Sequence, residues 1–265
     1  MKNLNRSFES GSGTGGGLDL ASREELVSRA IHLAAPQEDG SAVRGSEGLL
    51  GDTKKIREYA FEAIVHQKIL ESFYGDLQVA GFSEVEMAEI KDLLVGYNET
   101  ELNRIVSVPF EIRNKMLTSY AEDVHSGSMS VREVFDEIIA NGEKQGFSLG
   151  YHATNNVIKK EAATDSLGQE IVRWEIKPTE LDDRDEMNMA YYSEDLDHVY
   201  GAKGWQRIYI IRAQKGPEST HKLDGNNRWG RAHSLPIVDC LEMPADDVRV
   251  AIDEITQDMT RELKA

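Results

Sequence analysis

The stretch SLGYHATNN, residues 148–156, decides how the second half of the chain is read. An apolar run and a glycine lead into a His-Ala-Thr triplet, and two asparagines close it. Before this stretch, apolar residues recur at helical spacing. After Gly146 they come in short runs rich in Ile, Val, Tyr and Trp, separated by Gly, Pro, Asn and Asp. The runs are FSLGYHA (147–153), QEIVRWEI (169–176), MNMAYYS (187–193), QRIYIIRA (206–213), LPIVDCLEM (235–243) and DDVRVAI (246–252). Read as strands, they predict an α+β fold: a disordered tail over 1–18, a helical domain over 19–145 and a compact β-rich module over 146–265.

The helical half carries its own start and stop signals. Ser22-Arg23-Glu24-Glu25 reads as a capping box before LVSRAIHLAA. Ser83-Glu84-Val85-Glu86 starts a second such helix through Ile90, Leu93 and Leu94. Ser130-Val131-Arg132-Glu133 is a third box, with the helix expected to end near Gly142–Gly146. Ile56, Ala60, Ile64, Val65, Ile69 and Phe73 mark a helix over 53–74, and Gly75 reads as its C′ stop. Pro109 sits early in a predicted helix over 109–121. His32, His66 and His125 have no partner at metal-ligand spacing and read as surface or core histidines.

Residues 1–18 are Gly/Ser-rich and almost without apolar side chains, too few to offset the entropy of ordering. Gly11–Gly16 matches G-x-G-x-x-G by letter, but no strand feeds it. It therefore reads as linker rather than as a dinucleotide loop.

The whole-chain numbers exclude several classes. A net charge of −17 opposes a protein that grips nucleic acid by its phosphates. Acids crowd residues 161–200, which reads as solvated surface or as a dock for a basic partner. No apolar run reaches the roughly 18 residues of a membrane span, and MKNLNRSFES lacks the apolar core of a secretory signal. The lone Cys240 precludes an internal disulfide and a multi-cysteine zinc site. A cytoplasmic protein fits these features, and so does one secreted into a host cell by a signal-peptide-independent route.

Three polar elements follow one another in the second half. Tyr151-His152-Ala153-Thr154 ends the first run. Ala190-Tyr191-Tyr192-Ser193 lies about 40 residues on and leads to Tyr200. PIVDCLEMPADDV carries Asp239 and Glu242 just before Pro244. In order and spacing they resemble the ADP-ribosyltransferase superfamily of the diphtheria-toxin and poly(ADP-ribose) polymerase type, over roughly residues 146–256. GYHATNN looks like that family's first motif and MAYYSEDLDHVY like its second, with Ala153 standing where the family has glycine.

The resemblance implies a site for NAD, used as a substrate. His152 would fix a ribose hydroxyl, with Tyr151, Ala153 and Thr154 around it. Tyr191 would stack on nicotinamide, flanked by Tyr192 and Ser193, and Tyr200 would supply a second stacking face. Cleavage of the glycosidic bond passes through an oxocarbenium-like state, so a carboxylate nearby would balance charge and deprotonate an acceptor. Glu242 and Asp239 both qualify. Strand alternation puts them on opposite faces, so only one faces the pocket, and residue type favours Glu242. Glu218 and Asp224 are further candidates. Lys159, Lys160, Arg207, Arg212, Arg228 and Arg231 are candidate bases for the NAD phosphates.

The resulting expectation is mono-ADP-ribosyl transfer to a protein or small-molecule acceptor, as in a bacterial effector or toxin, without nucleic-acid or membrane partners. The alternative is a catalytically inactive, transferase-like interaction protein whose helical domain binds a partner. An RNA 2′-phosphotransferase, of related fold, would need bases that this charge balance does not offer.

Overall fold

The structure is a computed structural model that describes residues 22–34, 50–94, 110–143, 147–159, 161–164, 168, 170–176, 190–193, 206–214, 220–224, 227–232 and 235–264. The tail over 1–18, with the glycine-rich hexapeptide, lies outside them, as do Tyr200 and Glu218.

Helices open and close the described chain. They are α1 (Arg23–Ala34), α2 (Thr53–Ala80), α3 (Glu84–Leu94), α4 (Phe110–Ser126), α5 (Val131–Glu143) and α6 (Ala245–Glu262). Between α5 and α6 run β1 (Phe147–Thr154), β2 (Glu161–Thr164), β3 (Glu170–Ile176), β4 (Ala190–Ser193), β5 (Arg207–Gln214), β6 (Thr220–Asp224), β7 (Asn227–Ala232) and β8 (Leu235–Pro244).

The three capping boxes form as read. Ser22 and Glu25 exchange hydrogen bonds of 3.0 and 3.3 Å. The Glu86 and Glu133 carboxylates each accept from the amide of the preceding serine at 2.7 Å. Donation by the Ser130 amide and hydroxyl holds the Glu133 carboxyl below its ordinary range.

Helix α2 runs past its expected stop. Gly75 is exposed within it, and the buried stripe continues through Leu77 and Ala80. The helix ends at Gly81, whose φ of 101° suits glycine. There the Gly81 amide donates to the Gln78 carbonyl at 3.2 Å and the Phe82 amide to that of Leu77 at 3.1 Å, a Schellman motif sealed by two buried side chains. The same substitution at the two glycines therefore has opposite signs. Gly75→Ala stabilises by about 1 kcal/mol through helix propensity. Gly81→Ala costs about 1 kcal/mol through its left-handed backbone. Urea midpoints of the two variants check this, and midpoints moving the same way would place the helix end wrongly.

The expected α+β fold, a helical domain followed by a compact β-rich ADP-ribosyltransferase-like module, is corrected by two findings. Helix makes up 71% of the residues whose side chains are described, and their strand positions lie mainly in the small antiparallel sheet of β1, β5 and β8. That sheet also shares its core with the helices. Ile208, Ile210 and Met243 belong to the same buried cluster as Ile56, Phe61, Ile64 and Ile252, with Tyr151 and Leu241 against it. The Phe61 and Tyr151 rings meet edge to face, 5.1 Å between centroids.

The run DDVRVAI, expected as a strand, is the first half of α6. Val248 and Val250 alternate like strand residues, but Ala245, Val248, Ile252, Ile255 and Met259 form one buried helical stripe. Asp246 and Asp247 in the first turn suit the helix dipole. This helix packs on α1 and α2: Arg57 donates to Asp253 at 3.0 Å, and Arg23 pairs with Asp258.

In the strand order β2-β3-β8-β5-β1-β4-β7-β6, β5 and β1 are central, and each pairing is antiparallel. Paired residues share a face and neighbours along a strand alternate. The rows Tyr151–Ile210–Leu241 and Ala153–Ile208–Met243 therefore face the helices. Ile211, Ile237 and Ile176 are buried on the opposite face, outside the helical cluster.

Candidate functional site

The triplet that opened the question ends a central strand, with its side chains divided between two surfaces. Tyr151 and Ala153 lie on the helix side and His152 and Thr154 on the other. The buried Thr154 hydroxyl accepts from the Asn156 amide at 3.1 Å, a local turn that closes the strand. The Asn155 side chain accepts from the Gln206 amide at 2.9 Å, tying that turn to the start of β5.

Register then assembles a row. His152 is opposite Tyr209, and Tyr209 is opposite Glu242. The three share the face away from the helices. His152 is half-buried, Tyr209 is 2% exposed and the Glu242 side chain 48% exposed. His152 and Glu242 are two strand spacings apart, about 10 Å, with Tyr209 between them.

Glu242 is held from two sides. The Arg207 Nε donates to its Oε1 at 2.9 Å, and the Tyr209 hydroxyl donates to its Oε2 at 3.2 Å. Burial, with the nearby Glu242 charge, pushes the Tyr209 phenol up to about 12, against the Ile158 amide donating to its oxygen. Tyr209 thus keeps its proton and acts as a donor, not as a base. Arg207, expected as a candidate for phosphate, is instead joined to Glu242 and to the Asn155 carbonyl, the latter at 2.9 Å.

The other expected residues occupy different positions. Asp239 pairs with Arg212, and position 239 has the parity of Leu241 rather than of Glu242. Ser193 pairs with Tyr151, so position 191 has the parity of Tyr151 and position 192 that of His152. Tyr191 itself pairs with Arg231. Asp224 pairs with Asn227 on β6 and β7.

Sequence reasoning missed Tyr209 as a site residue. A partial signal was there: Arg207 and Tyr209 alternate with Ile208 and Ile210, although Ile211 makes their own face apolar one step further on.

A groove of about 590 Å³ lies elsewhere, between α1 and α6, lined by Arg23, Glu24, Val27, Asp258, Arg261 and Glu262. Arg23 and Arg261 both pair with Asp258, so its charges largely satisfy one another. The strand row, with an imidazole, a phenol donor and a held carboxylate, has the richer chemistry. Among the described residues no three metal-ligating side chains cluster, and no helix is long and apolar enough to cross a membrane.

No protein-family model, curated protein or solved structure matches the chain.

Proposed function

We propose that the chain transfers ADP-ribose from NAD⁺ to a protein or small-molecule acceptor, with His152 and Glu242 at the reacting ribose. The observation that carries this reading is the register setting both residues in one row with Tyr209 between them. His152 would bind a ribose hydroxyl. Glu242 would balance the positive charge of the oxocarbenium-like centre and take the acceptor's proton. Arg207 and Tyr209 fix the carboxylate in advance, which cuts the reorganisation needed during bond cleavage. The parity of β4 favours Tyr192 over Tyr191 as the aromatic neighbour of this row. Both a cytoplasmic enzyme and an effector delivered to a host cell suit the reading.

Nicotinamide release from NAD⁺, with cell lysate as acceptor source, tests it. Wild-type protein should release nicotinamide, and His152→Ala and Glu242→Gln should each lower the rate about 100-fold, the usual weight of a general acid–base group. Tyr192→Ala should lower it more than Tyr191→Ala. No release, together with no NAD⁺ binding by calorimetry, sinks the proposal.

A second reading, an inactive chain whose helical part binds a partner, is favoured by one observation: the central side chain of the row, Tyr209, is almost fully covered.

A further inference from the structure

The cover over Tyr209 has a visible part. After Thr154 the chain turns back, and the Ile158 amide donates to the Tyr209 hydroxyl at 3.3 Å. Val157, 51% exposed, and the exposed Lys159 flank that contact. Three bonds hold residues 155–159 down: the Gln206 amide to the Asn155 side chain, Arg207 to the Asn155 carbonyl, and the Ile158 amide to Tyr209. Arg207 and Tyr209 are also the two residues that hold Glu242. One guanidinium and one phenol thus serve both the segment and the carboxylate.

We propose that residues 155–159 form a strap latched to the Glu242 carboxylate through Arg207 and Tyr209, so that a ligand entering the row must lift it. Lifting removes the amide from the Tyr209 oxygen and the Asn155 carbonyl from Arg207. The Arg207 Nη1 is thereby freed to donate to the ligand, and the Tyr209 oxygen to accept from it, while the Tyr209 hydroxyl and the Arg207 Nε go on donating to the carboxylate. The Asn155–Gln206 bond lies at the base of the strap and serves as its hinge. The ligand class, the nicotinamide-ribose half of NAD⁺, rests on the transfer reading above. The latch itself does not.

Amide hydrogen exchange on the full chain without NAD⁺ tests the latch apart from the reaction. In wild type the Ile158 amide should exchange more slowly than a free peptide. Tyr209→Phe removes the acceptor while keeping the ring, and should speed Ile158 exchange about fivefold, the weight of one hydrogen bond. Glu242→Gln and Arg207→Gln should also speed exchange over residues 156–159, because each disturbs a shared donor. Exchange in the helices should stay unchanged in all three.

Strap exchange unaltered in Tyr209→Phe, or in both Glu242→Gln and Arg207→Gln, overturns the coupling. So does a uniform rise across the whole chain, which reports lost stability instead. Strap exchange that responds as expected in a protein without nicotinamide release keeps the latch and removes only the ligand class.

Discussion

Phe61→Ala is expected to destabilise the chain by about 4 kcal/mol and to move helices and sheet together. Phe61 is 2% exposed on α2 and lies edge to face with Tyr151 on β1. Truncation removes its buried area and leaves a cavity where two layers meet, a change that typically costs 3–5 kcal/mol. The ring pair adds about 1 kcal/mol beyond area. Two probes separate the layers. Far-ultraviolet circular dichroism follows the helices, while tryptophan fluorescence follows the strand half, since Trp174, Trp205 and Trp229 all fall there. Urea curves from both probes should coincide in wild type and shift equally in the variant. A dichroism midpoint that shifts while the fluorescence midpoint stays put would show two independent cores.

The second large effect is loss of stability in acid. His66 is 3% exposed within α2. Burial, with the Arg29 guanidinium as a lesser cause, lowers its pKa from 6.5 to about 4. The folded chain thus holds the imidazole neutral where the unfolded chain protonates it. Below 6.5 the unfolded state binds more protons, so stability rises with pH across this window. The contribution is complete above about 6.5 and lost as pH falls towards 4, and the gap amounts to about 3 kcal/mol. Carboxylates titrate nearby, so the measurement is a difference. Stability against pH for His66→Gln should lose this slope while keeping theirs. Curves that stay parallel from about pH 7 to about pH 4 would show that His66 is not held neutral. Among the described residues the charged group that acts on the ring is itself a cation: Arg29, partly buried, which donates to Gln67 at 3.2 Å.

The parts of the fold legible in the sequence are those set by local chemistry. The serines at 22, 83 and 130 announce their helices because each capping box is complete within four residues. β1 and β5 are legible because their runs are rich in apolar and aromatic residues, β1 with strict alternation and β5 with Ile208, Ile210 and Ile211. What escaped was set by packing at a distance. Gly75 satisfies a local stop rule, yet Leu77 and Ala80 keep α2 in the core for another turn. Residues 246–252 satisfy both periods, and burial against α1 and α2 selects the helix. Strands β2, β6 and β7 were not anticipated, and each takes its place from a neighbour in the sheet. At the site, His152 and Glu242 are legible as residue types. The row needs the β5 register, which no local pattern contains, and with it come Tyr209 and Arg207.

The contacts of α6 also bear on how quickly the molecule can assemble. Arg23 reaches Asp258 and the Glu254 carbonyl across sequence separations of 235 and 231 residues. Helices form locally and fast, but α1 and α2 cannot complete their core until a partner from beyond the sheet arrives. On a ribosome, a nascent chain ending before residue 245 carries finished helices with an open apolar face, waiting on the slow pairing of the strands between.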